Sequence, residues 1–236
     1  MGPAMPTGAR MQQQRPKGRC WHVTAAVDAE RRRLAPRWPS CYRCRAMHTI
    51  YVWLFPAAWI AWCLYWLGAS FNAKPSRRSE TVVSRLTHYV PLILGITLLT
   101  FSRLAGAALD HRFLPRSAAS FWIGAVLLLA GLLFSVAARR HLGGNWSSRV
   151  TVKQDHTLTR SGPYRLVRHP IYTGLLLAVL GNAIALGEWR GLVALALFCA
   201  AFLRKIQIEE RFMLEQFGDA YMRYRKEVAA LVPGLL

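Results

Sequence analysis

The sequence predicts an all-α, polytopic integral membrane protein of about five transmembrane segments, ending in a helical hairpin. Three observations carry that expectation. Hydrophobic residues make up 53% of the 236-residue chain, and the mean hydropathy is positive. Most of them lie in runs near the roughly 20 residues that a spanning helix needs. Lys and Arg outnumber Asp and Glu 31 to 11, for a formal net charge of +20, and these basic residues collect between the apolar runs.

Residues 1–46 stand apart. They are rich in Gly, Pro, Gln and Arg, hold no apolar run, and set ten Lys/Arg against Asp28 and Glu30. So little apolar surface cannot offset the entropy of ordering, which predicts a disordered basic tail. The first apolar segment starts too late for a secretory signal. Met47 opens a stretch that reads like a natural protein start, so the tail is read as a possible upstream mis-start.

Residues 47–138 read as three transmembrane helices. The first, about Thr49–Phe71, is dense in Trp and Tyr (Tyr51, Trp53, Trp59, Trp62, Tyr65, Trp66), as interfacial anchoring favours. Lys74–Arg85 is a polar link containing Pro75. The second segment is about Tyr89–Leu109, with Arg103 near one end. His111–Arg116 turns the chain, and the third is about Ser120–Ala138.

Residues 139–236 read as a cofactor-binding region. Arg139–Arg168 is a long polar connection in which Pro163, with Pro170 just after it, prevents a continuous helix. Two shorter apolar runs follow, Ile171–Gly187 and Gly191–Leu203, joined by Glu188-Trp189-Arg190. At 1.5 Å rise per residue the first reaches only about 25 Å, so the pair is a tight hairpin short of a full crossing. The second arm continues as a helix to Phe217 and stops at Gly218. A short amphipathic helix, Asp219–Ala230, comes next.

The most basic loops are Lys74–Arg85, Arg139–Arg168 and Arg204–Lys226, which places that side in the cytoplasm. The basic tail points the opposite way, in keeping with a mis-start. A basic chain suggests nucleic acid or anionic lipid; charge placed between apolar runs favours lipid, and no nucleic-acid module is present. Cys63 and Cys199 lie in apolar runs as small hydrophobes. Cys20, Cys41 and Cys44 with His22 contain one Cys-x-x-Cys pair, a weak zinc signal, so no metal is expected.

Chemistry concentrates in Arg160–Tyr172, RSGPYRLVRHPIY, and in Glu209-Glu210 beyond the hairpin. Ionisable groups so near hydrocarbon are costly and call for a function. Tyr164 and Tyr172 can stack on a flat ring or donate an O–H. Arg165 and Arg168 can fork a carboxylate, and His169 can donate, accept or titrate near neutrality. Each also has a plainer reading. The arginines can snorkel, the tyrosines can belong to an aromatic belt, and Lys205 with Glu209 can be an ordinary i,i+4 pair. His88, His111 and His141 are isolated. Gly143-Gly144 is a loop break, and no GxGxxG follows a strand.

The run His156 to Gly174 (HTLTRSGPYRLVRHPIYTG), followed by Glu209-Glu210 and by Phe217-Gly218-x-x-Tyr221-x-x-Tyr224, resembles the isoprenylcysteine carboxyl methyltransferase family, within a wider group of membrane phospholipid methyltransferases. The resemblance covers about residues 140–234. It implies S-adenosyl-L-methionine as cofactor, in a pocket facing the cytoplasm and built from His156, Leu158, Tyr164, His169, Pro170, Tyr172 and Glu209. It implies catalytic roles for Arg168, Lys205 and Glu210, and acceptor binding by Arg204 and Lys205. Where the family often has Arg one turn before the Glu pair, this chain has Lys205, a point charge without the fork. The implied partners are the bilayer and a lipophilic carboxylate. Alternatives are a phospholipid amine acceptor, a sterol-type nicotinamide-dependent reductase, and a non-catalytic membrane protein.

Overall fold

In a computed structural model, residues 42–71, 82–101, 106, 108–143 and 158–234 are described. Six α-helices lie within them: α1 Tyr42–Ser70, α2 Val82–Thr100, α3 Ala118–Leu142, α4 Pro170–Leu186, α5 Trp189–Phe217 and α6 Asp219–Glu227, with a 3-10 turn at Gly162–Arg165. The described residues from Ala46 onward belong to one compact unit. Most of the 1–46 tail, the Cys20/Cys41/His22 group and His156 lie outside the described residues.

Five long helices stand where five apolar segments were expected. Among the described residues, length and composition qualify three stretches as able to cross a membrane: Val52–Ser70, Ala118–Leu142 and Trp189–Phe217. Pro170–Leu186 is a shorter apolar helix, as the hairpin reading required.

Two boundaries differ from expectation. Helix α1 begins at Tyr42, inside the stretch read as tail. Helix α2 begins at Val82 and ends at Thr100, well before Leu109. Its polar first turns fit a helix because their groups are satisfied locally: Thr87 Oγ1 donates to Ser84 O at 2.6 Å. Thr100 Oγ1 donates to Ile96 O at 2.8 Å in the last turn.

Helix α3 starts at a reciprocal cap, Ser120 N donating to Ser117 Oγ at 3.0 Å. It ends in Arg139, Arg140 and His141, cations suited to the negative end of the helix dipole. Helix α4 opens with Pro170, whose fixed φ suits the first helical position. It closes at Gly187, φ +65°, a conformation other residues adopt at a cost. Gly218 (φ +49°) ends α5, as its position in the sequence suggested.

The core is built where α3 and α4 run against each other. A Cβ on Gly131 would lie 2.4 Å from Gly174 O, and one on Gly174 would lie 2.5 Å from Gly131 O. Gly124 and Gly181 face each other in the same way, at 2.5 Å in both directions. Each helix therefore repeats its glycine after two turns, and the repeats meet antiparallel. Among apolar lipid tails, such close backbone approach is a main source of helix association. Leu128, Leu132, Leu175, Ala178 and Val179 fill the surrounding core, with Phe198 and Phe202 of α5. Helix α1 is tied to α3 by Trp62 Nε1, which donates to Ser135 Oγ at 2.8 Å. Outward, Val126, Leu133 and Leu203 are exposed, as lipid-facing residues are.

Candidate active site at the wet end of the hairpin

The cassette that follows α3 cannot be helical at Pro163 and Pro170, so it folds back as a 3-10 turn and an extended step into α4. Its backbone finds partners far along the chain. Arg168 N donates to Ala229 O at 2.8 Å and His169 N to Ala230 O at 3.0 Å. Thr173 Oγ1 donates to Leu231 O at 2.8 Å. Residues 229–231 thus strap the start of α4. Tyr224 of α6 donates its O–H to Tyr164 O at 2.6 Å.

Helix α5 brings Glu209 and Glu210 to this place. His169 stands between them, Nδ1 3.4 Å from Glu209 Oε2 and Nε2 3.4 Å from Glu210 Oε1. Both ring nitrogens face carboxylates, an arrangement that suits the doubly protonated ring. Burial pushes the imidazole down, but hydrogen bonds and charge from Glu209 and Glu210 outweigh it, and the net direction is up. Arg168 Nε donates to Glu210 Oε1 at 2.9 Å, and Arg225 Nε lies 3.5 Å from Glu210 Oε2.

Glu209 has a different setting. It accepts from Tyr172 O–H, and its side chain is 26% exposed against 10% for Glu210. Rings of His169 and Tyr172 stack at 5.8 Å, and Tyr172 and Phe202 at 4.9 Å. Lys205 Nζ sits 5.6 Å over the Tyr172 ring, a cation–π contact one turn before Glu209. The result is a ladder of aromatic faces with a carboxylate and an ammonium at its edge.

The structure brings Arg168, His169, Tyr172, Lys205, Glu209 and Glu210 together. Arg204, next to Lys205, is half-buried. Tyr164 and Pro170 are buried, which fits shaping the backbone rather than offering a surface. Leu158 is half-buried at the edge of the described residues. Burial raises the Tyr164 phenol, reinforced by the Glu209 charge, and burial pushes Tyr224 up to about 12 despite nearby Arg168 and Arg160. Arg165 is exposed, as a snorkelling arginine is.

Sequence reasoning passed over His141 and Arg139. The His141 ring stacks on Tyr164 at 6.3 Å, and its Nε2 is 2.8 Å from Ser161 Oγ. Buried Arg139 donates to Ala69 O at 2.7 Å and to Gly143 O at 2.9 Å, joining the ends of α1 and α3. Neither carries a local signal: a lone His and a positive-inside Arg look alike in any sequence. Among the described residues no group of His, Cys, Asp and Glu is arranged to hold a metal ion.

Residues 119–220 match the family Phospholipid methyltransferase. The protein-S-isoprenylcysteine O-methyltransferase of Schizosaccharomyces pombe is 33% identical over 109 residues, covering 45% of this chain and 46% of that one. A probable protein-S-isoprenylcysteine O-methyltransferase of Oryza sativa subsp. indica is 29% identical over 186 residues, 77% of this chain and 95% of that one. A solved structure of the eukaryotic intramembrane Ras methyltransferase superposes over 65% of this chain and 52% of its own, with a TM-score of 0.43 and 24% identity. The chain spans about half the length of the curated relatives it matches, the rice protein excepted. Over these lengths it is similar to the protein-S-isoprenylcysteine O-methyltransferases and to the Phospholipid methyltransferase family.

Proposed function

We propose that this chain is an S-adenosyl-L-methionine-dependent methyltransferase that methyl-esterifies the carboxylate of an isoprenylcysteine-like or other lipophilic acceptor, at the cytoplasmic surface of the membrane. The names of its relatives support the reaction class. One observation carries the choice of acceptor. The groups able to act as a base are already engaged: His169 between two carboxylates, Glu210 under Arg168 and Arg225, and Glu209 by Tyr172 and His169. An amine acceptor must lose a proton, whereas a carboxylate is nucleophilic as it stands and needs no base.

The residues fit the cofactor. Flat ring faces of Tyr172 and Phe202 suit an adenine or a sulfonium. Glu209, only partly used by Tyr172 and His169, suits hydroxyls or an ammonium. Bound S-adenosylmethionine supplies an electrophilic methyl group. The chain's own part is to place the acceptor in line and keep water out. Lys205 and Arg204 hold the acceptor carboxylate as separate charges, which positions it without the tight fork of a buried arginine. His156 and Leu158 complete the cofactor wall in this reading.

Membranes containing the protein, cofactor labelled on its methyl group, and a prenylated cysteine analogue offered beside native lipids provide the test. Label released as volatile methanol by mild base is expected. Base-stable label in the lipid fraction would replace this reading with phospholipid N-methylation.

A further inference from the structure

The two glutamates of the pair are adjacent in sequence and opposite in circumstance. Successive residues point about 100° apart around a helix. Glu209 turns toward Tyr172 and the edge of the aromatic ladder. Glu210 turns inward, where both oxygens are occupied: Oε1 by Arg168 Nε at 2.9 Å and His169 Nε2 at 3.4 Å, Oε2 by Arg225 Nε at 3.5 Å. The Arg168 side chain is 8% exposed. Besides Glu210, its Nη1 donates to Arg225 O at 3.0 Å and to Val228 O. One guanidinium therefore joins α5, the end of α6 and Val228, just before the strap at 229–231.

We infer that Arg168, Glu210 and Arg225 form a brace, in which they act as positioning residues: they fasten α6 and residues 228–231 over the cassette and hold His169 against Glu209, leaving Glu209 as the carboxylate that meets a ligand. This rests on the reading of the site as a cofactor pocket. It moves Arg168 and Glu210 away from the catalytic roles that the family resemblance implied. Each Glu209 oxygen also has one partner, Tyr172 on Oε1 and His169 on Oε2, but the side chain is 26% exposed against 10% for Glu210, whose oxygens meet Arg168, His169 and Arg225 within the protein.

The brace has a consequence for protonation. The groups facing His169 are Glu209 and Glu210 from α5, with Tyr172 stacked on it from α4; Arg168 and Arg225 reach it only through Glu210, and Lys205 only through Tyr172 and Glu209. Removing the Glu210 charge leaves one carboxylate to hold the imidazolium.

The test uses the full chain in lipid nanodiscs and two readouts: S-adenosylmethionine binding across pH by calorimetry, and titration of ring-15N-labelled histidine. Glu210→Gln keeps an oxygen for Arg168 but loses the charge. Its cofactor affinity is expected to fall about ten-fold at mildly alkaline pH, the size of one charge-assisted hydrogen bond, and to recover as the pH is lowered. The His169 ring should titrate at lower pH in step. Arg225→Gln, a substitution at a half-exposed side chain, should show the same pattern more weakly. Affinity lost equally at every pH would place Glu210 against the ligand and overturn the brace. An unchanged His169 titration would overturn it too. If the unmodified chain binds no cofactor, the proposed function falls, while the imidazole titration still decides the brace.

Discussion

The hairpin of α4 and α5 carries a charge cluster at each end, and the two differ in what they leave unused. At the turn, Arg190 is 9% exposed and is consumed by the fold. Its Nε meets Glu188 Oε2 at 2.7 Å and Asp110 Oδ1 at 3.5 Å, while Nη1 donates to Leu98 O and Leu99 O at the end of α2. Arg112 completes the cluster, 3.4 Å from Glu188. At the other end the same ingredients include stacked rings, a partly exposed Glu209 and Lys205 over Tyr172. A buried ion pair near a bilayer is thus no sign of chemistry in itself. The sign is a charged group held firmly with capacity left over.

Several substitutions test that contrast. Arg190→Ala leaves Asp110 and two carbonyls without their cation and Glu188 with Arg112 alone, and should cost about 3–5 kcal/mol of stability. Thermal unfolding should show it, with cofactor affinity in the folded fraction unmoved; a matching loss of affinity would erase the distinction between the ends. Glu209→Ala and His169→Ala should each weaken cofactor binding on the order of 100-fold, the loss of about two charge-assisted hydrogen bonds. Both proteins should still fractionate with membranes, and normal affinity in both would sink the site assignment. Gly131→Ala pushes a methyl into Gly174 O and should cost about 1–3 kcal/mol, moving both ends together because the α3–α4 contact lies between them.

A pH titration separates the ends further. The His169 pKa lies above its ordinary value, so the stabilisation from its protonated form is complete below about pH 6.5. It drains away as the pH climbs through the raised value. Melting temperature should therefore decline as the pH rises above about 6.5, and His169→Gln should flatten that decline. A profile identical in the two proteins would show that the clamp adds nothing. The smallest effect is expected from His141→Ala, about 1 kcal/mol for a hydrogen bond and a ring contact, read as a slightly lower melting temperature.

Much of this was legible in the sequence because it depends on short-range rules. Pro163 and Pro170 dictate a break and a helix start, and Gly218 dictates a stop. That His169 and Glu209 share one site was implied by the family resemblance rather than by any local rule. Helix α2 was misplaced because Ser84, Arg85, Thr87 and His88 look like a loop until their local hydrogen bonds and burial are known. The glycine register was also unread, although Gly124/Gly131 and Gly174/Gly181 repeat at the same interval; a spacing says nothing of which helix it faces. The division of labour between Glu209 and Glu210 needed the third dimension outright, since two adjacent glutamates are chemically identical until their neighbours are known.

The strap has a bearing on synthesis. Val228, which receives Arg168, lies 60 residues further along the chain. During translation the cassette emerges first, and α4 and α5 enter the membrane before its partners exist. Until residues 228–231 leave the ribosome, the guanidinium of Arg168 lacks Val228 O and the amides of Arg168 and His169 lack Ala229 O and Ala230 O. The contacts around the cassette are therefore completed only when residues 228–231 have emerged. A nascent chain paused within α6 would sit in the membrane with its helices paired and its site still open.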